Sequence, residues 1–532
     1  MGGSTFQEAW KYSSLTKKHS FPNLTFENHS QMKIKNILIA NRGEIAVRIM
    51  KTARKMGIRS TVIKTAAEPS AMYLSLADNV FDDTESVSEI PVFLDIDRLI
   101  HIANETGADA IHPGYGFLAE NPYFAQKCLD NKIIFIGPSP DSIYKMGNKT
   151  IARKIALANN IPMASGSKGQ IPTEKDAIIV ARNIGYPVII KASSGGGGRG
   201  MRIVRKEEDM PKMFRLASNE ADKAFSDPSV FIEKYIENPK HIEFQILGDK
   251  FGNIIHLGER ECSVQRKHQK LLEEAPSSAL DSKLRDEMGK IAIKISSAVG
   301  YYSAGTVEFL LDSEGSFYFM EMNTRIQVEH PVTELITGTD LIEQQILIAE
   351  EKKLKLEQED IKLEGWAIEC RINAEDVQSG FSPAPGKIEQ IIMPEGDNIR
   401  VDSGVKAGSV IAANFDSMIA KLIVKGNDRK EALKNCKHAL DKVWIKGTKT
   451  TLPFFRMLIR NERFLNGTIT TSFIENELDN YHVNSEYEEL LAAWMATWLF
   501  VDENLDESNL KIDAEEAKNL SPWLLNKRIS RH

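Results

Sequence analysis

The stretch Glu321–Glu334, EMNTRIQVEHPVTE, places three acids, an arginine, a glutamine, an asparagine and a histidine directly behind a strand-like run, Ser316–Met320. Polar groups so dense at the end of an apolar strand are costly to bury for packing alone. They suit a ligand that carries charge, with a solvated loop as the plain alternative. Upstream, Glu308 lies near the middle of a strand-like run, Gly305–Leu311, and Glu321 with Asn323 lies near the end of the next. Two acids set side by side by neighbouring strands are what magnesium bound to a nucleotide needs. Taken singly, such acids are more often surface residues.

A second candidate is the glycine run Gly195, Gly196, Gly197 and Gly198, followed by Arg199 and Gly200. It satisfies GxGxxG, but a dinucleotide fingerprint opens a helix and here a strand, Arg202–Val204, follows. No GK[ST] closes it as a Walker loop. A strand–loop–strand hairpin remains, with Lys191 entering and Arg199 at the tip. Glycines there let backbone N–H groups approach phosphate oxygens and let the loop act as a lid. A merely flexible hairpin is the competing reading.

The elements that must carry these groups follow from patterning. The run Lys35–Ala40 reads as a buried strand, Asn41–Glu44 as a turn, and Ile45, Ile49, Ala53 and Met56 as one helical face stopped at Gly57. Strand-like and helix-like segments then alternate to about residue 146, which predicts a parallel, doubly wound α/β unit over 34–146. The turn His112–Phe117, HPGYGF, falls at a strand's carboxyl end, where such sheets bind ligands. From Pro162 to about Phe231 lies a smaller, separable unit. Further strands are expected at His241–Leu247, Gly305–Leu311 and Ala367–Ile372, and helices near 282–299, 339–351 and 430–443.

Composition fits a soluble enzyme of several domains: 532 residues, 42% hydrophobic and 27% charged, enough for a large core. A net charge of −7 without a long basic run argues against nucleic acid as the main partner. Four scattered cysteines with no CxxC pair suit a reducing compartment, without disulfides or structural zinc. No apolar run reaches the ~18 residues of a membrane span. The first 32 residues contain no arginine and no apolar signal core, so a cytoplasmic location is expected.

Seven segments together carry a family resemblance: IANRGEIA (39–46), HPGYGFLAEN (112–121), KASSGGGGRGM (191–201), EKYIENPKHIE (233–243), RECSVQRKHQKLLEEAP (260–276), Glu321–Glu334 itself and ECRINAED (369–376). In this order, over about residues 34–480, the chain resembles the biotin carboxylases, ATP-grasp enzymes that serve acyl-CoA and pyruvate carboxylases. The resemblance implies an α/β ATP-grasp fold with an N-terminal doubly wound (Rossmann-like) domain (34–146). An ATP-grasp region (147–366) with a small mobile lid at about 163–231 follows, then a C-terminal biotin-carboxylase domain (367–480). Extensions at 1–33 and 481–532 flank this body.

It also implies roles. Lys149 and Lys191 hold the nucleotide phosphates, and the loop Gly195–Gly200 closes over them. Glu233 and the backbone near Ile236 meet adenine, with Met201 packed on it, and His241, Gln265 and His268 line the rest of the ATP site. Glu308, Glu321 and Asn323 bind Mg2+ or Mn2+, and Lys270, Arg325, Gln327 and the backbone of Val328 hold bicarbonate. Glu329 matches the general base and Arg371 the arginine that stabilises the biotin enolate. Without a role on this reading, His330 is expected to be a hydrogen-bonded structural histidine and Cys262 an inert core thiol.

Departures from the family pattern are Ser194 before the glycine run, the segment Thr65–Met72, and Asn414-Phe415 before Asp416 on the biotin side. Residues 1–33 read as an arm or docking segment. Residues 485–501, opening with the capping-box pair Ser485 and Glu488, read as an apolar helix docked on the body or on a partner protein. No Ala/Val-Met-Lys-Met biotin-acceptor segment occurs. The expected partners are therefore a separate biotin carboxyl carrier protein and carboxyltransferase subunits, with a homodimer as the family expectation. Competing functions are another ATP-grasp ligase working through an acyl phosphate, and a catalytically silent scaffold within a carboxylase complex.

Overall fold

A computed structural model describes residues 33–477 apart from 87, 89, 168, 194–200, 226 and 414. The glycine loop, Ser194, Asn414 and both extensions beyond those limits lie outside the described residues.

Five parallel strands open the fold: β1 (Asn36–Ile39), β2 (Arg59–Lys64), β3 (Asn79–Asp82), β4 (Ala110–His112) and β5 (Ile134–Phe135), in the order β3-β2-β1-β4-β5. All four residues of β1 are buried, as expected of a parallel strand covered on both faces. The helix Gly43–Lys55 returns the chain to β2 and buries Ile45, Ile49 and Ala53. Strand order reverses between β1 and β4, which makes their carboxyl ends a switch point where α/β sheets bind ligands. There Asn41 Nδ2 donates to the carbonyls of Pro113 (2.7 Å) and Tyr115 (2.8 Å), joining the turn after β1 to the HPGYGF turn.

A small antiparallel sheet, β6 (Val188–Ala192), β7 (Arg202–Val204) and β8 (Val230–Lys234), is ordered β7-β6-β8. It has its own core, in which Val188, Ile190 and Ile232 meet Ala177 and Ala181 of the helix Glu174–Ile184 and Phe214 of Met210–Phe225.

The body is an eight-stranded antiparallel sheet. Its strands are β9 (Lys240–Gly248), β10 (Ile254–Arg266), β11 (Gln269–Ala275), β12 (Ser303–Leu311), β13 (Phe317–Asn323), β14 (Trp366–Asn373) and the strands Ile399–Ser403 and Met418–Gly426. The order runs β13-β12-β9-β10-β11-β14, then Met418–Gly426 and Ile399–Ser403. One face packs on the helix Ser282–Ala298, where Phe244, Phe309, Phe317 and Phe319 meet Met288, Ala292 and Ile295. The rings meet edge to face, with Phe309 5.6 Å from Phe317 and 6.1 Å from Phe244 between centroids. Among the described residues no helix is long and apolar enough to cross a membrane.

One irregularity decides what the other face carries. Along β12 and β13, Phe309 pairs with Phe319, but the next pair is Glu308 with Glu321, so Met320 is an extra, exposed residue. Strict alternation from Phe317 and Phe319 would put Glu321 on the core face. The bulge at Met320 resets the alternation: Met322 enters the core, while Glu321 and Asn323 join Glu308 on the opposite face. Deleting Met320 would remove the bulge and leave Glu321 directly after Phe319, so regular alternation would keep Glu321 and Asn323 on the open face and Met322 in the core. The deletion is therefore expected to leave a cooperative transition in denaturant unfolding, and loss of that transition would contradict this register.

Candidate active site

The open face of the large sheet bears a row of charged side chains in register. Glu321 (β13) lies opposite Glu308 (β12), Glu308 opposite Glu243 (β9), and Glu243 opposite Arg260 (β10). Farther along, Glu273 (β11) faces Glu369 (β14), and Arg371 (β14) faces Lys421. Directly opposed residues share a face with Cβ atoms about 4.5–5.5 Å apart, so the sheet itself sets the spacing of these groups.

Lys270 ties the row together. Its Nζ lies 2.5 Å from Glu243 Oε2, 2.9 Å from Glu308 Oε1 and 2.9 Å from Glu329 Oε1. Burial would discharge this lysine, but the three carboxylates overcome it and hold its pKa well above the ordinary value. Glu329 follows β13 and stands immediately before the helix His330–Thr337, with no exposed surface. Its Oε1 accepts from Lys270 and its Oε2 accepts from Arg371 Nη2 at 2.7 Å. Burial pushes the Glu329 carboxyl up, yet Lys270, Arg371 and Arg260 outweigh it and hold the group well below the usual carboxylate range. Glu329 is thus an ionised, dry carboxylate with a different cation on each oxygen.

Between β13 and Glu329, the segment 324–328 is fastened from both sides. Glu120, just after the HPGYGF turn, accepts from the Thr324 N–H (3.0 Å) and from Arg325 Nε (3.0 Å). Arg325 Nη1 donates to Gln327 Oε1 at 2.9 Å. Lys421, fully buried, donates through Nζ to the Val328 carbonyl at 2.9 Å and lies 3.1 Å from Glu44 Oε1, which also accepts from Tyr115 Oη. The first sheet and the strand Met418–Gly426 therefore both hold the loop that presents Arg325, Gln327 and Val328.

Glu308 also contacts His241 Nε2 at 3.0 Å and accepts from Asn323 Nδ2 at 2.7 Å. Burial raises its pKa, but Lys270 and His241 more than reverse this and hold it well below the ordinary value. Glu321 differs. Burial raises its pKa, Glu308 beside it adds to the rise, and Lys149 opposes them. A buried carboxylate and a half-buried one repelling one another, with an amide oxygen adjacent, form an all-oxygen donor set that fits a hard divalent cation. Lys149 opens the helix Lys149–Ala158, and burial, with Lys191 adding to it, lowers its pKa. Lys191 on β6 donates to Glu233 Oε2 of β8 at 2.7 Å, and Arg153 pairs with the other oxygen.

The remaining candidates spread around this centre. Gln265 Nε2 and His241 Nδ1 are 3.5 Å apart on β10 and β9. His268 is exposed in the two-residue turn between β10 and β11, and Met201 and Ile236 lie just before β7 and just after β8. Gly195–Gly198 lie outside the described residues. His330 is the structural histidine expected: fully buried and held neutral chiefly by burial, its Nδ1 lies 2.8 Å from the Gln327 carbonyl. Burial likewise drives the Cys262 thiol well above its ordinary pKa, which disfavours the reactive thiolate beside Glu329. Glu334 turns away from the site, bonded to Arg48 (2.8 Å) and Arg400 (2.7 Å). Sequence reasoning gave no role to Glu243, Glu273, Glu369 or Lys421, although each charge sits inside an apolar strand pattern, a signal in itself.

Comparison with known proteins decides the family. Residues 33–143 match the model of the biotin carboxylase N-terminal domain and 369–476 that of its C-terminal domain. Between them, 148–357 match the ATP-binding domain of the carbamoyl-phosphate synthase L chain. Biotin carboxylase 1 of Bacillus subtilis is 50% identical over 443 residues, 83% of this chain and 98% of that protein. The chain belongs to the biotin carboxylases. As a member of that family it is an ATP-dependent ligase that carboxylates biotin. The 2-oxoglutarate carboxylase small subunit of Hydrogenobacter thermophilus is 46% identical, over 83% of this chain and 93% of that one. Among solved structures, the biotin carboxylase domain dimer of Hydrogenobacter thermophilus 2-oxoglutarate carboxylase, in complex with MgADP, ADP and bicarbonate, superposes with a TM-score of 0.81. It shares 45% identity over 85% of this chain and all of that one. A Campylobacter jejuni biotin carboxylase bound to β-γ-ATP matches with a TM-score of 0.81 and 46% identity over 84% of this chain and 99% of that one. The α/β ATP-grasp fold expected from the motifs is the fold of these relatives.

Two of the departing segments, through Glu68 and Phe415, meet at one residue. Arg42 is held by Glu68, from the unusual segment after β2, with Nε 2.5 Å from its carboxylate. Its guanidinium stacks 4.3 Å from the Phe415 ring centroid and reaches Asp416 at 3.4 Å.

Proposed function

We propose that Glu329 is the base that deprotonates bicarbonate, and that the sheet row beside it divides MgATP from biotin. The observation that carries this reading is the bridging of Glu329: one oxygen on Lys270, at the nucleotide side, and the other on Arg371. Lys149, Lys191, Glu233, Met201, Ile236, His241, Gln265, His268 and the loop Gly195–Gly198 serve the nucleotide. Glu308, Glu321 and Asn323 hold the divalent cation, which screens charge on the transferring phosphoryl group when bound. Lys270, Arg325, Gln327 and Val328 hold bicarbonate. Arg325 is preorganised for this, since Glu120 and Gln327 already fix its fork.

In the reaction, the bicarbonate hydroxyl gives its proton to a Glu329 oxygen, and the freed oxyanion attacks the γ-phosphorus of ATP, with ADP leaving. The resulting carboxyphosphate breaks down to carbon dioxide and phosphate. Phosphate takes the ureido N–H proton of biotin, Arg371 holds the enolate oxygen, and the nitrogen attacks carbon dioxide. A carboxylate with so low a pKa abstracts a proton mainly by position, and the surrounding cations stabilise the charge that develops on oxygen.

The chain works in this reading with a separate biotin carboxyl carrier protein and carboxyltransferase subunits, as a homodimer in the cytoplasm, for an acyl-CoA or keto-acid acceptor. Supporting it are the relative named as the small subunit of a carboxylase and the dimeric neighbour. The test is transfer of label from bicarbonate to a biotinylated carrier protein in the presence of MgATP. Acid-labile label on the carrier is the expected result. Label on free biotin but none on any carrier would remove the partner assignment.

A further inference from the structure

Behind Arg371 stands a second pair of acids that the reaction leaves unused. Glu273 and Glu369 face each other across β11 and β14, and neither has any exposed surface. Arg371 Nη2 lies 2.5 Å from Glu273 Oε1 and 2.7 Å from Glu329 Oε2, so one nitrogen is shared between two carboxylates. Neither oxygen of Glu369 accepts a hydrogen bond from any described residue, and neither oxygen of Glu273 has a well-aligned donor. Lys421, the cross-strand partner of Arg371, spends its charge on the Val328 carbonyl and Glu44 instead.

Glu329 also has Lys270, whereas Glu273 meets Arg371 alone among the described residues, so two ionised acids at Glu273 and Glu369 would leave negative charge uncompensated in a dry interior, at a cost of several kcal/mol per ion. A single proton resolves this. Glu273 touches a cation and Glu369 touches none, so the proton belongs on Glu369, whose hydroxyl can then donate to Glu273 across the strand pair. Burial, reinforced by Glu273, pushes the Glu369 carboxyl well above its ordinary range, whereas for Glu273 Arg371 opposes burial and the carboxyl is pushed up only to about 7.

We propose that Glu273 is the permanent anchor of Arg371 and that Glu369, carrying a proton, holds Glu273 in place. The proposal rests on Glu329 being the base and Arg371 serving biotin. During turnover Glu329 becomes neutral and releases its grip on Arg371. Glu273 keeps its contact with Arg371, so the guanidinium stays aimed at the substrate oxygen and does not follow Glu329. Both acids are positioning residues, because neither touches substrate in this reading.

The test uses the full chain with Glu273→Gln and Glu369→Gln, each preserving side-chain shape. Steady-state turnover is measured against biotin, bicarbonate and MgATP, with melting temperature alongside. Glu273→Gln should lower kcat/KM for biotin about tenfold or more, with KM for MgATP within about twofold and biotin-independent ATP turnover retained. Glu369→Gln imitates the protonated acid and should stay within about threefold of wild type. A Glu273→Gln enzyme that matches wild type overturns the proposal, as does equal loss on the nucleotide and biotin sides with a lowered melting temperature. Equal damage from the two variants overturns the shared-proton arrangement. Wild-type enzyme that biotin fails to stimulate overturns the underlying reading, and the anchor with it.

Discussion

Glu329→Gln should lower kcat by about 10²–10⁴-fold, the usual worth of a positioned general base, while leaving KM for MgATP within a few fold. The glutamine keeps the shape of the side chain but removes the charge that Lys270 and Arg371 bracket. Because those cations, with Arg260, overcome burial and hold the carboxyl well below its usual range, the wild-type side chain is ionised throughout the neutral region. The sign follows from this. A depressed folded-state pKa contributes stability that is fully present above the unfolded value of about 4.3. That stability is lost as pH falls through the lower folded value. Any acid limb in the rate between about pH 5 and 7 therefore belongs to another group and should persist in Glu329→Asp. A wild-type limb in that window that vanishes in Glu329→Asp would contradict the assignment of Glu329 as the low-pKa base.

Arg371→Ala is the second large effect. It should cut biotin-dependent turnover about 10²–10³-fold, the usual cost of losing one preorganised group at a developing oxyanion. Nucleotide binding, measured by titration with ADP and magnesium, should change little, because Arg371 contacts Glu329 and Glu273 and none of the phosphate-side lysines. Truncation also leaves the buried Glu273 without its cation and Glu329 with Lys270 alone, so a stability loss of about 3–5 kcal/mol is expected. Arg371→Lys separates the two consequences. It restores charge between the acids but not the planar fork, so it should recover most of the stability and little of the biotin-dependent rate. Parallel recovery of both would make Arg371 a structural ion-pair partner only.

Much of this architecture was legible because its signals are local. The buried run at β1, the helical face Ile45–Ala53 and the turn HPGYGF announce a parallel sheet and its ligand edge without tertiary information. The pairing of Glu308 with Glu321 was likewise readable as two acids on neighbouring strands. What aims Glu321 correctly was not readable. Period-two alternation from Phe319 places it in the core, and only the bulge at Met320, fixed by pairing with β12, reverses that. The two-residue turn Lys267-His268 has both residues at positive φ, 47° and 66°, yet lacks the Asn-Gly or Asp-Gly signature of such turns. Glu243, Glu273 and Glu369 stand in apolar strands whose partners are distant in sequence, so their common face emerges only from register. Lys421 is the extreme case, paired with Glu44 from the helix after β1 near the other end of the described residues.

In the proposed reaction one row of charges couples ATP cleavage to bicarbonate and biotin through Glu329. Its most direct test is ADP release by the full chain with magnesium and ATP, with bicarbonate and free biotin each added or withheld. The prediction is slow release that requires bicarbonate and rises on adding biotin. Release by folded protein that is indifferent to bicarbonate, or unmoved by biotin, would contradict it.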